Sequence, residues 1–214
     1  VMLAFAVLLW AGFAVVVWAV LAGHTAQFDT VLLRLPRMAD GAARGPGWGH
    51  EMMRDVTALG GVLLRNFFAL IGVGIAAFVL RWRGIAVWLF VTVASGWLVN
   101  SVMKYAFARP RPELVPHLAE ADGPAFPSGH SFNGAVVYVA LALAFAPCVV
   151  RASARHALIG AAMVLAALIA MSRIGLGVHW PSDALAGWLG GTGWAVLCAA
   201  AFRPLPIGRD TARA

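Results

Sequence analysis

Three short stretches carry most of the polar residues able to do chemistry in an otherwise apolar chain. They are Lys104 with Arg109-Pro110-Arg111-Pro112, then Pro127-Ser128-Gly129-His130, then Ser172-Arg173 with His179-Trp180-Pro181-Ser182-Asp183. These types fit phosphoryl chemistry. The nonbridging oxygens of a transferring phosphoryl group need fixed positive charge, which planar arginine supplies bidentately and lysine as a point charge; Lys104, Arg111 and Arg173 meet that need. Ser128-Gly129-His130 opens onto an apolar run, so the free amides of a helix N-terminus can receive an anion there. Gly129 permits close backbone approach, and the Ser128 hydroxyl adds a donor. His179 and Asp183 stand four apart, with Pro181 well placed in a first helical turn. The carboxylate can then reach one imidazole nitrogen and set the tautomer of the other. His130 and His179 can divide the nucleophile and acid roles, in either assignment, and the scheme calls for no metal or cofactor.

Each residue alone has a plainer explanation. The cations could be headgroup anchors, His130 a helix-end histidine, His179 and Asp183 a structural hydrogen bond, and Pro-Ser-Gly a turn with a helix start. Together they would have to fall by independent accidents on one side of the same membrane, where ionisable residues are functional candidates. His24, His50, His117 and His156 have no partner at diagnostic spacing and read as surface residues, and Arg109 reads as a minor substrate contact.

The elements that must position these groups are membrane spans. The 214 residues are 62% hydrophobic and 12% charged, against about 25% charged in soluble domains, and mean hydropathy is +0.84. Spans need roughly 20 apolar residues each, and six fit: 1–23, 62–80, 85–103, 131–150, 157–171 and 181–202. The fold class is therefore all-α, a polytopic membrane protein with six transmembrane helices in a single domain over 1–214. The segment 24–60, with its mixed patterning and Gly45-Pro46-Gly47, reads as short interfacial helices. The stretch 104–129, polar and proline-rich, exceeds the roughly 12–15 residues of an idle connection. Cys148 and Cys198 lie in apolar runs and read as small hydrophobes. Gly72, Gly74, Gly187, Gly190, Gly191 and Gly193 read as helix-packing positions, with a homodimer face as the weaker reading.

Of the 16 basic residues, Lys104 is the one lysine. The net charge of +7 lies in arginine clusters at span ends without an aromatic-rich soluble platform, which speaks for membrane orientation and against nucleic acid. Arg81, Arg83, Arg151, Arg155, Arg203, Arg209 and Arg213 share one side. The positive-inside tendency makes that side cytoplasmic, with the N-terminus, and puts all three motifs on the opposite face. The 24–60 loop departs from the rule with four arginines, partly offset by Asp29, Asp40, Glu51 and Asp55.

The spacing Lys104, six residues, Arg111-Pro112; Pro-Ser-Gly-His at 127–130; Ser172-Arg173, five residues, His179, three residues, Asp183 resembles the type 2 phosphatidic acid phosphatase superfamily. The motifs span 104–112, 127–130 and 172–183, and the resemblance covers about 59–202 with no departure at a motif position. Residues 54–60 also resemble a segment of bacterial members. The resemblance implies His179 as nucleophile forming a phosphohistidine, Asp183 orienting it, His130 as acid and then base, and Lys104, Arg111, Ser128, Gly129 and Arg173 cradling phosphate. It implies a bacterial inner-membrane enzyme with its site facing the periplasm, acting on a lipid phosphate such as undecaprenyl pyrophosphate, phosphatidylglycerol phosphate or phosphatidic acid. Two alternatives stand beside it: a lipid-linked phosphotransferase using the same site, and a non-catalytic binder of lipid headgroups.

Overall fold

The computed structural model describes residues 1–38 and 46–202. Asp40, Arg44 and Gly45, and the basic tail with Arg203, Arg209 and Arg213, lie outside the described residues. Six helices are long and apolar enough to cross a membrane, as the hydropathy pattern predicts. In chain order they are α1 (Met2–Leu21), α4 (Val62–Gly74, continued by a π-helical turn, Ile75–Val79), α5 (Arg83–Phe107), α6 (Gly129–Phe145), α7 (Ala152–Gly175) and α8 (Pro181–Ala201). Two shorter helices, α2 (Ala26–Arg34) and α3 (Gly47–Gly60), fill the segment between α1 and α4. The first packs on α8 and α7, the second on α7 and α6.

Two span boundaries differ from expectation in a way that matters for the site. The third span runs on to Phe107 and the fifth to Gly175, so Lys104 and Arg173 occupy last helical turns instead of opening loops. Hydropathy falls where the polar residues begin, but the backbone has no reason to stop there: a cation in a last turn faces the negative end of the helix dipole. What stops α5 is Ala108, in the left-handed region at φ 45. After α7 the chain turns at Gly177, φ 78, where a Cβ would sit 2.7 Å from an Arg37 guanidinium nitrogen and 2.8 Å from the Pro116 carbonyl.

Helices α6 and α8 form the centre. Between lipid-embedded helices there is no hydrophobic driving force, so close van der Waals contact must hold them, and glycines on α8 allow it. A Cβ on Gly191 would collide with the Phe132 carbonyl, and one on Gly187 would lie 2.7 Å from Ser131 Cβ and 2.8 Å from the Ser128 carbonyl. Gly190 faces the fully buried Phe132 ring, Gly193 faces Trp10 of α1, and Gly72 of α4 faces Leu141. Gly74 is the exception. Nothing lies within 4 Å of a Cβ there, because it faces away from the neighbouring helices, and the packing role expected for it does not hold. Cys148 is exposed and Cys198 buried, and neither is in a disulfide.

Candidate active site

The ends of α5, α6, α7 and α8 meet at one end of the bundle around a cavity of about 440 Å³. Its wall includes Lys104, Arg111, Gly129, His130, Arg173 and His179, six of the eight residues singled out from sequence. Arg81, Arg83, Arg151 and Arg155 stand at the opposite helix ends. The alternation of helix direction is what gathers residues as far apart in the chain as Lys104 and His179 into one pocket, and each arrives at a helix terminus or in a connection.

Arg111 is the hub. It donates through Nε to the Gly123 carbonyl (3.0 Å), through one terminal nitrogen to the Asp122 carbonyl (2.7 Å), and through the other to the Val178 carbonyl (2.7 Å). That last nitrogen also lies 3.1 Å from His179 Nε2. A guanidinium can only donate, so Nε2 must be the acceptor and the ring proton sits on Nδ1. On that side Asp183 Oδ2 lies 3.5 Å away. His179 is 2% exposed. Burial pushes its pKa well below the ordinary 6.5, and Arg111, Arg173, Lys104 and His130 push it the same way. The imidazole is therefore neutral, with a lone pair on Nε2 aimed into a cationic cavity. Burial also lowers Arg111 from its usual value while Asp183 and Asp122 raise it, and a guanidinium so far above neutral stays charged.

Asp183 is the third residue of α8 and closes a capping arrangement, its Oδ2 accepting from the Trp180 amide at 2.9 Å. Lys104 Nζ donates to the Pro124 carbonyl at 2.5 Å and Arg173 to Thr57 Oγ1 of α3 at 3.0 Å, leaving Arg173 Nε without a partner. His130, in the first turn of α6, packs beside Gly60, where a Cβ would come within 3.3 Å of its ring. The 54–60 segment thus braces the site from outside the main motifs.

Ser128 and Asp183 stand immediately behind the cavity and are fully buried. Ser128 caps α6, its Oγ accepting from Ser131 Oγ (2.9 Å) and, at the long limit, from the Ser131 amide (3.5 Å). The Ser128 hydroxyl is a helix cap first.

Arg109 does not line the cavity. The expectation of a substrate contact gives way to a different placement: its guanidinium turns to the far side of Asp183, binding Asp183 Oδ1 (2.5 Å), Ser182 Oγ (2.8 Å) and Asp29 Oδ2 (2.8 Å). The left-handed turn at Ala108 and the stacking of Arg109 over Trp180, 5.5 Å from the ring centroid, fix that direction. Of the four histidines read as surface residues, His24, His117 and His156 are exposed and His50 is half-buried.

Sequence reasoning passed over Arg65, Asn100 and Asn133, which share the wall. Asn133 donates to Asn100 Oδ1 at 3.3 Å, and Asn100 Nδ2 and Asn133 Oδ1 have no partner. Asn100 lies one helical turn before Lys104 and Asn133 one turn after His130, a periodicity that could have found them. Arg65 is 5% exposed and donates to the Gly60 carbonyl at 3.1 Å.

Residues 85–205 match the model of the PAP2 superfamily. Over 143 residues, 66% of this chain and 69% of the relative, the sequence is 33% identical to phosphatidylglycerophosphatase B of Bacillus subtilis (strain 168). It is 32% identical over 127 residues to lipid A 1-phosphatase of Rhizobium johnstonii, covering 55% of this chain and 48% of that one. Among solved structures, a transmembrane PAP2 type phosphatidylglycerolphosphate phosphatase from Bacillus subtilis superposes with a TM-score of 0.82 and 26% identity, over 95% of this chain and 98% of the other.

Proposed function

For a chain that belongs to the PAP2 superfamily, we propose hydrolysis of a lipid phosphomonoester or pyrophosphate through a phosphohistidine on His179. The observation that carries this is the polarity of His179: Nε2 is an acceptor 3.1 Å from Arg111, while Nδ1 faces the Asp183 carboxylate. An uncharged nitrogen nucleophile is thereby held at the place where cations would fix phosphate.

In the first step Nε2 attacks phosphorus, the bond from phosphorus to the leaving oxygen breaks, and His130 gives that oxygen a proton. Lys104, Arg111, Arg173 and the amides around Gly129 hold the nonbridging oxygens, with Ser128 keeping the α6 terminus in register. Asp183 stabilises the positive ring left on His179. In the second step His130 takes a proton from water, whose oxygen attacks the phosphohistidine and releases inorganic phosphate. Protein cations supply the electrostatics, so activity is expected with chelator present.

A lipid substrate is supported by what adjoins the cavity. Val62, Arg65 and Trp97 belong both to its wall and to an apolar groove of about 300 Å³ between α4 and α5, lined further by Leu70, Val73 and Phe90. A headgroup in the cavity would leave its chain in that groove. The Bacillus relatives are named for phosphatidylglycerophosphate and the Rhizobium relative for lipid A, which makes phosphatidylglycerol phosphate the first substrate to assay, beside phosphatidic acid and undecaprenyl pyrophosphate. Arginine at the opposite helix ends supports placement in a bacterial cytoplasmic membrane with the site facing outward. The test is phosphate release by purified protein in detergent with chelator, wild type against His179→Ala. Release abolished by the substitution is the expected result; no release from any of the three lipids by folded wild type would overturn the proposal.

A further inference from the structure

Arg109 and Asp29 form a charge relay behind the proposed nucleophile. Asp29 is 1% exposed although it comes from α2, outside the residues that match the family model. Its Oδ1 accepts from the Ser182 amide at 2.8 Å and its Oδ2 from Ser182 Oγ at 2.7 Å and from Arg109 at 2.8 Å. Arg109 also donates to Asp183 Oδ1. Asp183 Oδ2 accepts from the Trp180 amide and faces His179 Nδ1, which lies 3.5 Å away and has no other partner among the described residues. Both oxygens of the carboxylate are thus assigned, and the assignment depends on Arg109.

We propose that Arg109, held by Asp29, is a positioning residue for the reaction: it locks Asp183 as an anion with one oxygen toward His179 Nδ1. The inference rests on the phosphatase reading of the site. The surrounding charges decide the effect of losing Arg109. Asp183 is faced by Arg109 from the 108–128 connection, Asp29 from α2 and His179 from the α7–α8 connection, with Arg111, Lys104 and Arg173 across the cavity beyond that ring. Without Arg109, the buried carboxylates of Asp29 and Asp183 lose the cation that bridges them, and one takes a proton. A protonated Asp183 keeps only one oxygen as a full acceptor, and without Arg109 on Oδ1 nothing holds that oxygen toward His179 Nδ1.

The experiment compares Arg109→Gln, Arg109→Lys, Asp29→Asn and the double variant Asp29→Asn/Arg109→Gln with wild type, on phosphatidylglycerol phosphate in detergent across pH. For Arg109→Gln, kcat should fall about 10²-fold, in the range of general acid–base contributions, with KM within about threefold and the acidic limb of the rate profile moved to higher pH. Arg109→Lys should recover part of kcat. Asp29→Asn should lower kcat about tenfold, and the double variant should be no worse than Arg109→Gln, since residues acting as one unit are non-additive. A raised KM at unchanged kcat, multiplying effects in the double variant, or a lowered melting temperature with kcat intact would each overturn the inference. The tautomer of His179, read by ¹⁵N NMR in the same variants, keeps the test separate from the hydrolase reading. If wild type releases no phosphate, that reading fails, while loss of the Nδ1–H form in Arg109→Gln still supports the relay and its retention still overturns it. Should Arg109→Gln not fold, Asp29→Asn and Arg109→Lys decide through the same kcat, pH and NMR readouts.

Discussion

Asp183→Asn changes one oxygen to an amide nitrogen and keeps the shape, which makes it a sharp test of how His179 is held. Two donors bind the carboxylate, Arg109 on Oδ1 at 2.5 Å and the Trp180 amide on Oδ2 at 2.9 Å, and His179 Nδ1 stands 3.5 Å from Oδ2 with no hydrogen bond of its own among the described residues. Asparagine has one acceptor oxygen. If that oxygen faces Trp180 and His179, the NH2 group meets a guanidinium. If it faces Arg109, the NH2 group meets the Trp180 amide and drives the His179 proton to Nε2, where Arg111 already donates at 3.1 Å. Either way a buried donor is left without a partner, at a stability cost of about 1–3 kcal/mol. Removing the charge that balances Arg109 adds to it. The rate consequence is larger: in the second orientation a nucleophile protonated on Nε2 has no lone pair to use, and in either orientation a neutral amide does not stabilise the positive ring of the phosphohistidine. A fall in kcat of about 10³–10⁴-fold is expected, comparable to losing the orienting carboxylate of other histidine-based sites. The assay is steady-state hydrolysis in detergent, with melting temperature and His179 tautomer measured on the same sample. A variant within tenfold of wild type, or one impaired through KM alone, would refute the tautomer argument.

Lys104→Met should lower kcat/KM at least about 10²-fold and weaken inhibition by vanadate, measured by dose response; full retained activity would remove Lys104 from the cradle. His179 should remain neutral with its proton on Nδ1 well below pH 6.5, checked by ¹⁵N NMR against the His179→Ala spectrum. Because its folded pKa is depressed, the unfolded chain binds the extra proton, so this contribution to stability is complete above about 6.5 and is lost as pH falls below it; a pH-stability series checks the sign. Gly191→Ala should lower stability by about 1–3 kcal/mol through overpacking against the α6 backbone, whereas Gly74→Ala should be neutral or stabilising by up to about 1 kcal/mol, compared by thermal melts.

Much of the site was legible because its residues sit at helix ends, and helix ends are written locally. Ser128 before Gly129, Pro181 at the start of α8 and the four-residue step to Asp183 all survive in the structure. Where local signals misled, a distant contact had decided. The two arginines of Arg109-Pro110-Arg111 look equivalent in sequence, yet the turn at Ala108 sends one to Asp29 and Asp183 and the other to His179. Gly74 looks like the other span glycines, but whether a glycine faces a partner depends on helix rotation, which composition does not specify.

The sequence by itself determined the solvent of this protein, the six spans and the placement of three motifs at one end, because hydropathy, proline and capping preferences act over a few residues. Only the tertiary structure decided which nitrogen of His179 faces Arg111 and which partners Arg109 takes. Both depend on donors and acceptors 68 to 80 positions apart in the chain, brought within hydrogen-bond reach by the packing of α2, α5 and α8.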